Sequence, residues 1–183
     1  MKKFELVAEM TKEIFGTKLF RIRALISFGV IDKGDLGGWV EKEDNLSQEG
    51  NAWVSGNARV SGNARVSGNA QVSGNARVSG NARVSGNAQV SGNAQVSGNA
   101  WVSGNASWLT VGPVGSENGF LSAFRQKDNS IMVLRGCFEG TIEEFESAVK
   151  ETHGDNEFSE QYLALIPFIK LRLEEVEVSD EDE

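Results

Sequence analysis

The chain has 183 residues, with 18 basic and 26 acidic side chains and a formal charge of −8, a balance that argues against a general nucleic-acid binder. A single cysteine, Cys137, excludes an intrachain disulfide and fits a reducing compartment. The longest apolar run, residues 163–169, contains Pro167 and falls far short of the roughly 20 residues a membrane-spanning helix needs. Lys2 and Lys3 are followed by Glu5 and Glu9, which interrupt any signal-like apolar stretch, so a cytoplasmic protein away from membranes is expected. The charge is segregated: residues 1–49 carry 8 basic and 9 acidic side chains, residues 50–107 carry 4 and 0, and residues 108–183 carry 6 and 17.

Residues 1–35 read as an N-terminal β cap. The segments 4–10 and 19–26 both alternate apolar and polar residues, with Gly16-Thr17 between them as the expected hairpin turn. Such a cap is needed because the open end of a stacked β structure exposes apolar interior and unpaired backbone.

Residues 36–107 organise the rest. From residue 51 the unit Asn-Ala-x-Val-Ser-Gly recurs almost unchanged, with x cycling through Trp, Arg, Gln and finally Ser. A unit of six residues encloses no core alone and must stack coil on coil. A disordered Gly/Ser/Asn tract has no reason to keep Val and Ala in one phase. Carried backwards, the frame places Val40, Leu46 and Ala52 where Ala58 stands later, so that twelve hexads run from 36 to 107. Val and Ala are expected inside and Ser and x outside, with Gly-Asn at the corners and stacked Asn side chains hydrogen-bonding along them.

This pattern resembles the left-handed parallel β-helix of hexapeptide-repeat proteins. The resemblance implies three hexads per triangular coil, hence about four coils, and a mainly β fold. The stretch from Phe20 to Ser47, with Gly37-Gly38-Trp39-Val40 and Asp44-Asn45-Leu46 inside it, resembles the lead-in to such repeats in bacteriophage and prophage proteins, and the region of Gly136-Cys137-Phe138 and His153-Gly154-Asp155 resembles the C-terminal module of the same proteins.

After Ser107 the phase fails at Gly112-Pro113, and residues 108–173 read as a small C-terminal α+β domain. Strands are expected at 120–125 and 131–134. Thr141-Ile142-Glu143-Glu144 is a capping box opening a helix over 142–152. A second helix is expected over 158–174, with Phe158, Tyr162, Leu165, Ile166, Ile169 and Leu173 on its apolar stripe and a kink near Pro167. Residues 174–183 hold seven acids in ten and are expected to be disordered.

Acyltransferases among the hexapeptide-repeat proteins resemble this chain in the coils, and the resemblance implies a histidine base, an extruded loop and a groove between trimer subunits. Residues 54–107 contain no histidine, acid, cysteine or lysine, so the coils offer no general base. His153, the chain's single histidine, suits a helix end. A Cys137–His153 dyad lacks a third, orienting group, and one His with one Cys is too few ligands for a metal. No catalytic residue, metal or cofactor is therefore expected.

Sorting the outward position by coil gives three faces: Glu41, Arg59, Arg77 and Gln95; Ser47, Arg65, Arg83 and Trp101; and Trp53, Gln71, Gln89 and Ser107. Arginines stacked about 4.8 Å apart suit carboxylates or phosphates, although they also keep a β surface soluble. The expectation is a non-enzymatic, phage-type solenoid acting as a rigid protein-binding or scaffolding module, for instance an inhibitor of a host defence protein. Its expected binding residues are Arg59, Arg77, Arg65, Arg83 and Trp101, and its partner an acidic host protein or other anionic ligand. The neutral face of Trp53, Gln71 and Gln89, anchored by Trp53, is expected to make a homo-oligomer. An acyltransferase or a virion component is the alternative.

Overall fold

The computed structural model describes residues 1–175; residues 176–183, which make up most of the acidic tail, lie outside the described residues. The chain is mainly β: a parallel β-solenoid lies between an N-terminal hairpin and a C-terminal antiparallel sheet with two helices.

Strands β1 (Phe4–Ile14) and β2 (Thr17–Ala24) form the hairpin. Ile14 lies opposite Thr17, so the two-residue loop is Phe15-Gly16, one position earlier than Gly16-Thr17. Both loop residues have positive φ, 49° and 79°, as a two-residue hairpin turn of matching twist requires. The third strand, β3 (Leu36–Val40), pairs antiparallel with β2 on one edge and parallel with the coils on the other. It is where the cap becomes solenoid.

Each x-Val pair of the repeat is a two-residue strand, from β4 (Trp53–Val54) to β12 (Trp101–Val102). They stack in three columns: Arg59, Arg77 and Gln95; Trp53, Gln71 and Gln89; and Arg65, Arg83 and Trp101. Every Val from Val54 to Val102 and every Ala from Ala52 to Ala100 is buried, each Val contributing about 1.5–3 kcal/mol of burial energy. The strands are too short to hold themselves; the bore makes them.

Each corner closes with the Ala N–H donating to the Ser carbonyl three residues earlier, as Ala76 does to Ser73 at 3.2 Å. Positive φ falls on Gly alone, for example 66° at Gly74, and the following Asn keeps negative φ. That frees the Asn side chains to stack, and three ladders run along the edges: Asn51–Asn69–Asn87, Asn57–Asn75–Asn93 and Asn63–Asn81–Asn99, at 3.2–3.4 Å.

Two parts of the expected frame shift. Val40 pairs with Val60 and Leu46 with Val66, so both stand at the valine position rather than the alanine position. The outward column above Arg59 therefore begins with Trp39, not Glu41, and Asn45 rather than Ser47 stands above Arg65. Leu46 and Val54 are separated by two residues more than later valines, and the extra corner residues include Gln48. Its side chain accepts from the Lys3 and Phe4 amides at 2.7 and 3.2 Å and donates to the Phe4 carbonyl at 3.3 Å, tying β1 to the first coil. At the other end, residues 105–107 form a 3₁₀ turn, so Ser107 leaves the column of Gln71 and Gln89. The last coil is closed by side chains instead: the Gln89 amide donates to Asn105 Oδ1 at 2.8 Å and the Gln95 amide to Ser122 Oγ at 2.9 Å.

Both mouths of the bore are plugged. Phe4, Ile22 and Ala24 join the valine core at one end, and Phe124 and Leu134 at the other. Lys3 is buried beside the first plug; its ammonium donates to the carbonyls of Glu49, Gly50 and Ala52 at 2.9–3.3 Å.

Strands β13 (Trp108–Val114), β14 (Gly119–Arg125), β15 (Ile131–Arg135) and β16 (Phe138–Thr141) form an antiparallel meander. Helices α1 (Ile142–His153) and α2 (Glu157–Arg172) pack on it. The capping box forms as expected, with the Thr141 amide donating to Glu144 Oε2 at 2.7 Å and the Glu144 amide to Thr141 Oγ1 at 3.3 Å. Helix α2 starts at its Asn156 cap and runs through Pro167; Tyr162, Ile166, Ile169 and Leu173 meet Phe145 and Val149 in a second core.

Candidate functional site

The first face is one outer surface of a six-stranded sheet that runs from the hairpin onto the coils, in the order β1-β2-β3-β5-β8-β11, where β5 is Arg59–Val60, β8 is Arg77–Val78 and β11 is Gln95–Val96. Arg21 lies opposite Trp39, Trp39 opposite Arg59, Arg59 opposite Arg77 and Arg77 opposite Gln95. The row thus crosses five strands at about 4.8 Å per step. Lys12 Nζ sits 3.9 Å and the Arg21 guanidinium 5.2 Å from the Trp39 ring centre, close enough for cation–π attraction to fix both cations.

Among the described residues, none of Lys12, Arg21, Arg59 and Arg77 makes an ion pair. Burial, with Arg59 and Arg21 alongside, lowers Lys12 from 10.5 to about 8. The hairpin tip overhangs this row. Ile14, Phe15 and Leu19 with Arg59 and Arg77 line a cleft of about 180 Å³, and Phe15 is 99 % exposed. Sequence reasoning placed Arg59 and Arg77 here but missed Lys12, Arg21 and Trp39. The alternation of Arg21 and Arg23 in β2 was the available signal, but no periodicity gives the hairpin's register against the coils.

The second face holds Arg65, Arg83 and Trp101 in register. Trp101 is only 6 % exposed, because Arg83 lies 4.7 Å and Lys127 5.6 Å from its ring centre. A groove of about 610 Å³ runs along this face, lined by Arg65, Arg83 and Trp101 but also by Glu43 and Asp44. Glu43 is paired with Lys2 at 2.8 Å, and that hydrogen bond holds its carboxyl below the usual range. The second face therefore brings carboxylates into its arginine groove, whereas on the first Glu5 is paired with Arg23 and Glu139, beside Arg77, accepts from Ser97 Oγ.

The third face keeps Trp53, Gln71 and Gln89 in register, but Trp53 is no exposed anchor. It is 1 % exposed, packed edge-on against Phe28 with ring centres 5.4 Å apart, because residues 25–35 fold back over it. The exposed apolar group beside this face is Val30, at the rim of a groove shared with Phe28, Gln71 and Gln89. Cys137 is exposed at the β15–β16 turn, bordering a cleft with Arg77, Gln95 and Glu139. His153 lies against Phe158 and Tyr162, and the two side chains make no hydrogen bond to one another among the described residues.

The stacked register and the filled bore make the chain a β-solenoid repeat protein. Its coils are similar to the YdcK β-solenoid repeat, whose family model matches residues 52–68, 58–74, 70–86, 76–92, 88–104 and 94–107. The caps on either side lie outside those matches. No curated protein matches the chain. No helix of the described residues is long and apolar enough to cross a membrane.

Proposed function

We propose that the chain is a non-enzymatic, phage- or prophage-type solenoid of the hexapeptide-repeat kind, wound left-handed, that works as a rigid module for binding an acidic host protein in the cytoplasm. One form of this function is inhibition of a host defence protein. The observation that carries the reading is the outward row of cations on a plugged, stiff body, with no carboxylate between residues 54 and 107 to neutralise it. A preformed charged surface speeds encounter and selects partners of opposite sign. The bore supports a scaffold reading equally: it is filled with Val and Ala and leaves no room for a substrate. Self-association through the neutral face, with Val30 at its edge, belongs to the same proposal.

The test against catalysis is direct. The protein is expected to transfer no acyl group from acetyl-CoA to sugar or amine acceptors, and His153→Ala and Cys137→Ser to keep the biological effect of the wild type. Transfer above background that disappears in either variant would replace the binding module with an acyltransferase.

A further inference from the structure

We infer that the row of Arg21, Trp39, Arg59 and Arg77, with Lys12 seated on Trp39 and the hairpin tip above, docks an acidic segment of a partner protein in which an apolar side chain adjoins clustered carboxylates. This rests on the binding-module reading and adds which face binds and what it takes.

Three observations select this face and this occupant. Arg21, Trp39, Arg59 and Arg77 follow one another in register and Lys12 sits on the Trp39 ring, the four cations having no ion pair of their own among the described residues, whereas Arg65 and Arg83 share their groove with Glu43 and Asp44. Burial, and after it the charges of Arg59 and Arg21 alongside, leave the Lys12 proton held less tightly than in water, and an incoming anion relieves the repulsive part. Glu139, which borders a cleft with Arg77 and Gln95 at the lower end, already accepts from Ser97 Oγ at 3.2 Å.

The shape decides between ligand classes. A cleft of about 180 Å³ is smaller than the roughly 300 Å³ at which pockets begin to enclose a small molecule, so a nucleotide would lie mostly in water. A long polyanion needs contacts to many phosphates, and the chain's net charge of −8 repels it beyond the row. A protein segment needs neither enclosure nor length. Its carboxylates pair with guanidinium groups that are planar and preset, and an apolar side chain covers Ile14 and Phe15, of which Phe15 stands almost wholly in solvent.

The experiment uses the full chain and a dye-labelled short glutamate peptide carrying one central phenylalanine, followed by fluorescence anisotropy at low salt. Combined Lys12→Gln, Arg59→Gln and Arg77→Gln should weaken binding about tenfold or more, and Phe15→Ser a few-fold, while Arg65→Gln with Arg83→Gln should leave it unchanged. The Arg59→Gln and Arg77→Gln replacements keep the fold, since Gln95 already occupies the same column, and circular dichroism checks the fold of the Lys12, Phe15, Arg65 and Arg83 replacements. The Lys12 ε-carbon resonance should titrate near 8 in the free protein and at higher pH with peptide bound. Loss confined to the Arg65/Arg83 variant would overturn this site while leaving the binding module intact. Equal binding by every variant would overturn both. Tighter binding of pyrophosphate or duplex DNA than of the peptide would overturn the acidic-protein occupant.

Discussion

Trp39 lies directly opposite Arg59 in neighbouring parallel strands, and through this pair the N-terminal cap and the coils become one surface. The indole carries Lys12 and Arg21 on its ring while its own strand continues the valine bore through Val40. Trp39→Ala should therefore cost about 2–4 kcal/mol, from lost packing and two cation–π contacts, measured by urea denaturation. A loss below about 0.5 kcal/mol, typical of an exposed surface site, would mean that Trp39 does not join cap to coils.

The corner glycines separate conformation from stacking. Gly74 and Gly92 both have φ of 66°, but a Cβ on Gly74 would lie 3.0 Å from the Gly92 amide nitrogen, whereas one on Gly92 meets nothing within 4 Å. Both alanine variants incur the cost of positive φ, about 1 kcal/mol; Gly74→Ala should lose roughly 1–2 kcal/mol more because the neighbouring coil must shift. Equal losses in thermal or urea unfolding would show that the coils do not touch at their corners.

Lys3 should give stability a pH dependence of unusual sign. Burial lowers its pKa from 10.5 to about 8, so between those values the unfolded chain holds the proton more firmly than the folded one. The cost of burying the cation is fully present below about 8 and is relieved as pH rises toward 10.5. Stability should rise with pH over that window relative to Lys3→Met, by on the order of 1–3 kcal/mol at about 1.4 kcal/mol per unit. Parallel urea midpoints for the two proteins across the window would expose a burial that does not exist.

The neutral face should carry any self-association. Val30 stands in solvent beside Gln71 and Gln89, and an uncharged β surface costs less to dehydrate than one bearing arginines. Light scattering should give a dimer or trimer for the wild type and a monomer for Val30→Glu. A monomeric wild type, or an oligomer indifferent to the substitution, removes this face. Trp53→Glu cannot serve, because Trp53 is inside the monomer.

The solenoid was legible because a six-residue period leaves one solution for Val and Ala, and the Asn ladders follow from the same spacing. The lead-in was not, because Gln48 belongs to a corner two residues longer than the rest, and any frame carried back through it slips Trp39 and Glu41 by those two positions. At the far end the chain keeps Asn105-Ala106-Ser107 in nearly the repeat's letters, yet Asn105 turns its side chain to cap the Gln89 amide. Arg59 and Arg77 were readable as a ladder; Lys12 and Arg21 were not, since their place depends on how the hairpin lies against the coils. The exposure of Trp53 was misjudged for a similar reason: nothing in the repeat says that Phe28 returns to cover it.

The most direct measurement is the affinity of a partner captured from a cell lysate for the wild type and for the combined Arg59→Gln, Arg65→Gln, Arg77→Gln and Arg83→Gln variant, each across a salt series. Contacts made by exposed arginines weaken as ions screen them, so the wild type should lose affinity steadily with salt, and the variant should bind at least about tenfold more weakly with a flatter slope. An unchanged affinity and an unchanged slope in a variant that still folds would contradict the account, returning the arginines to keeping the solenoid in solution.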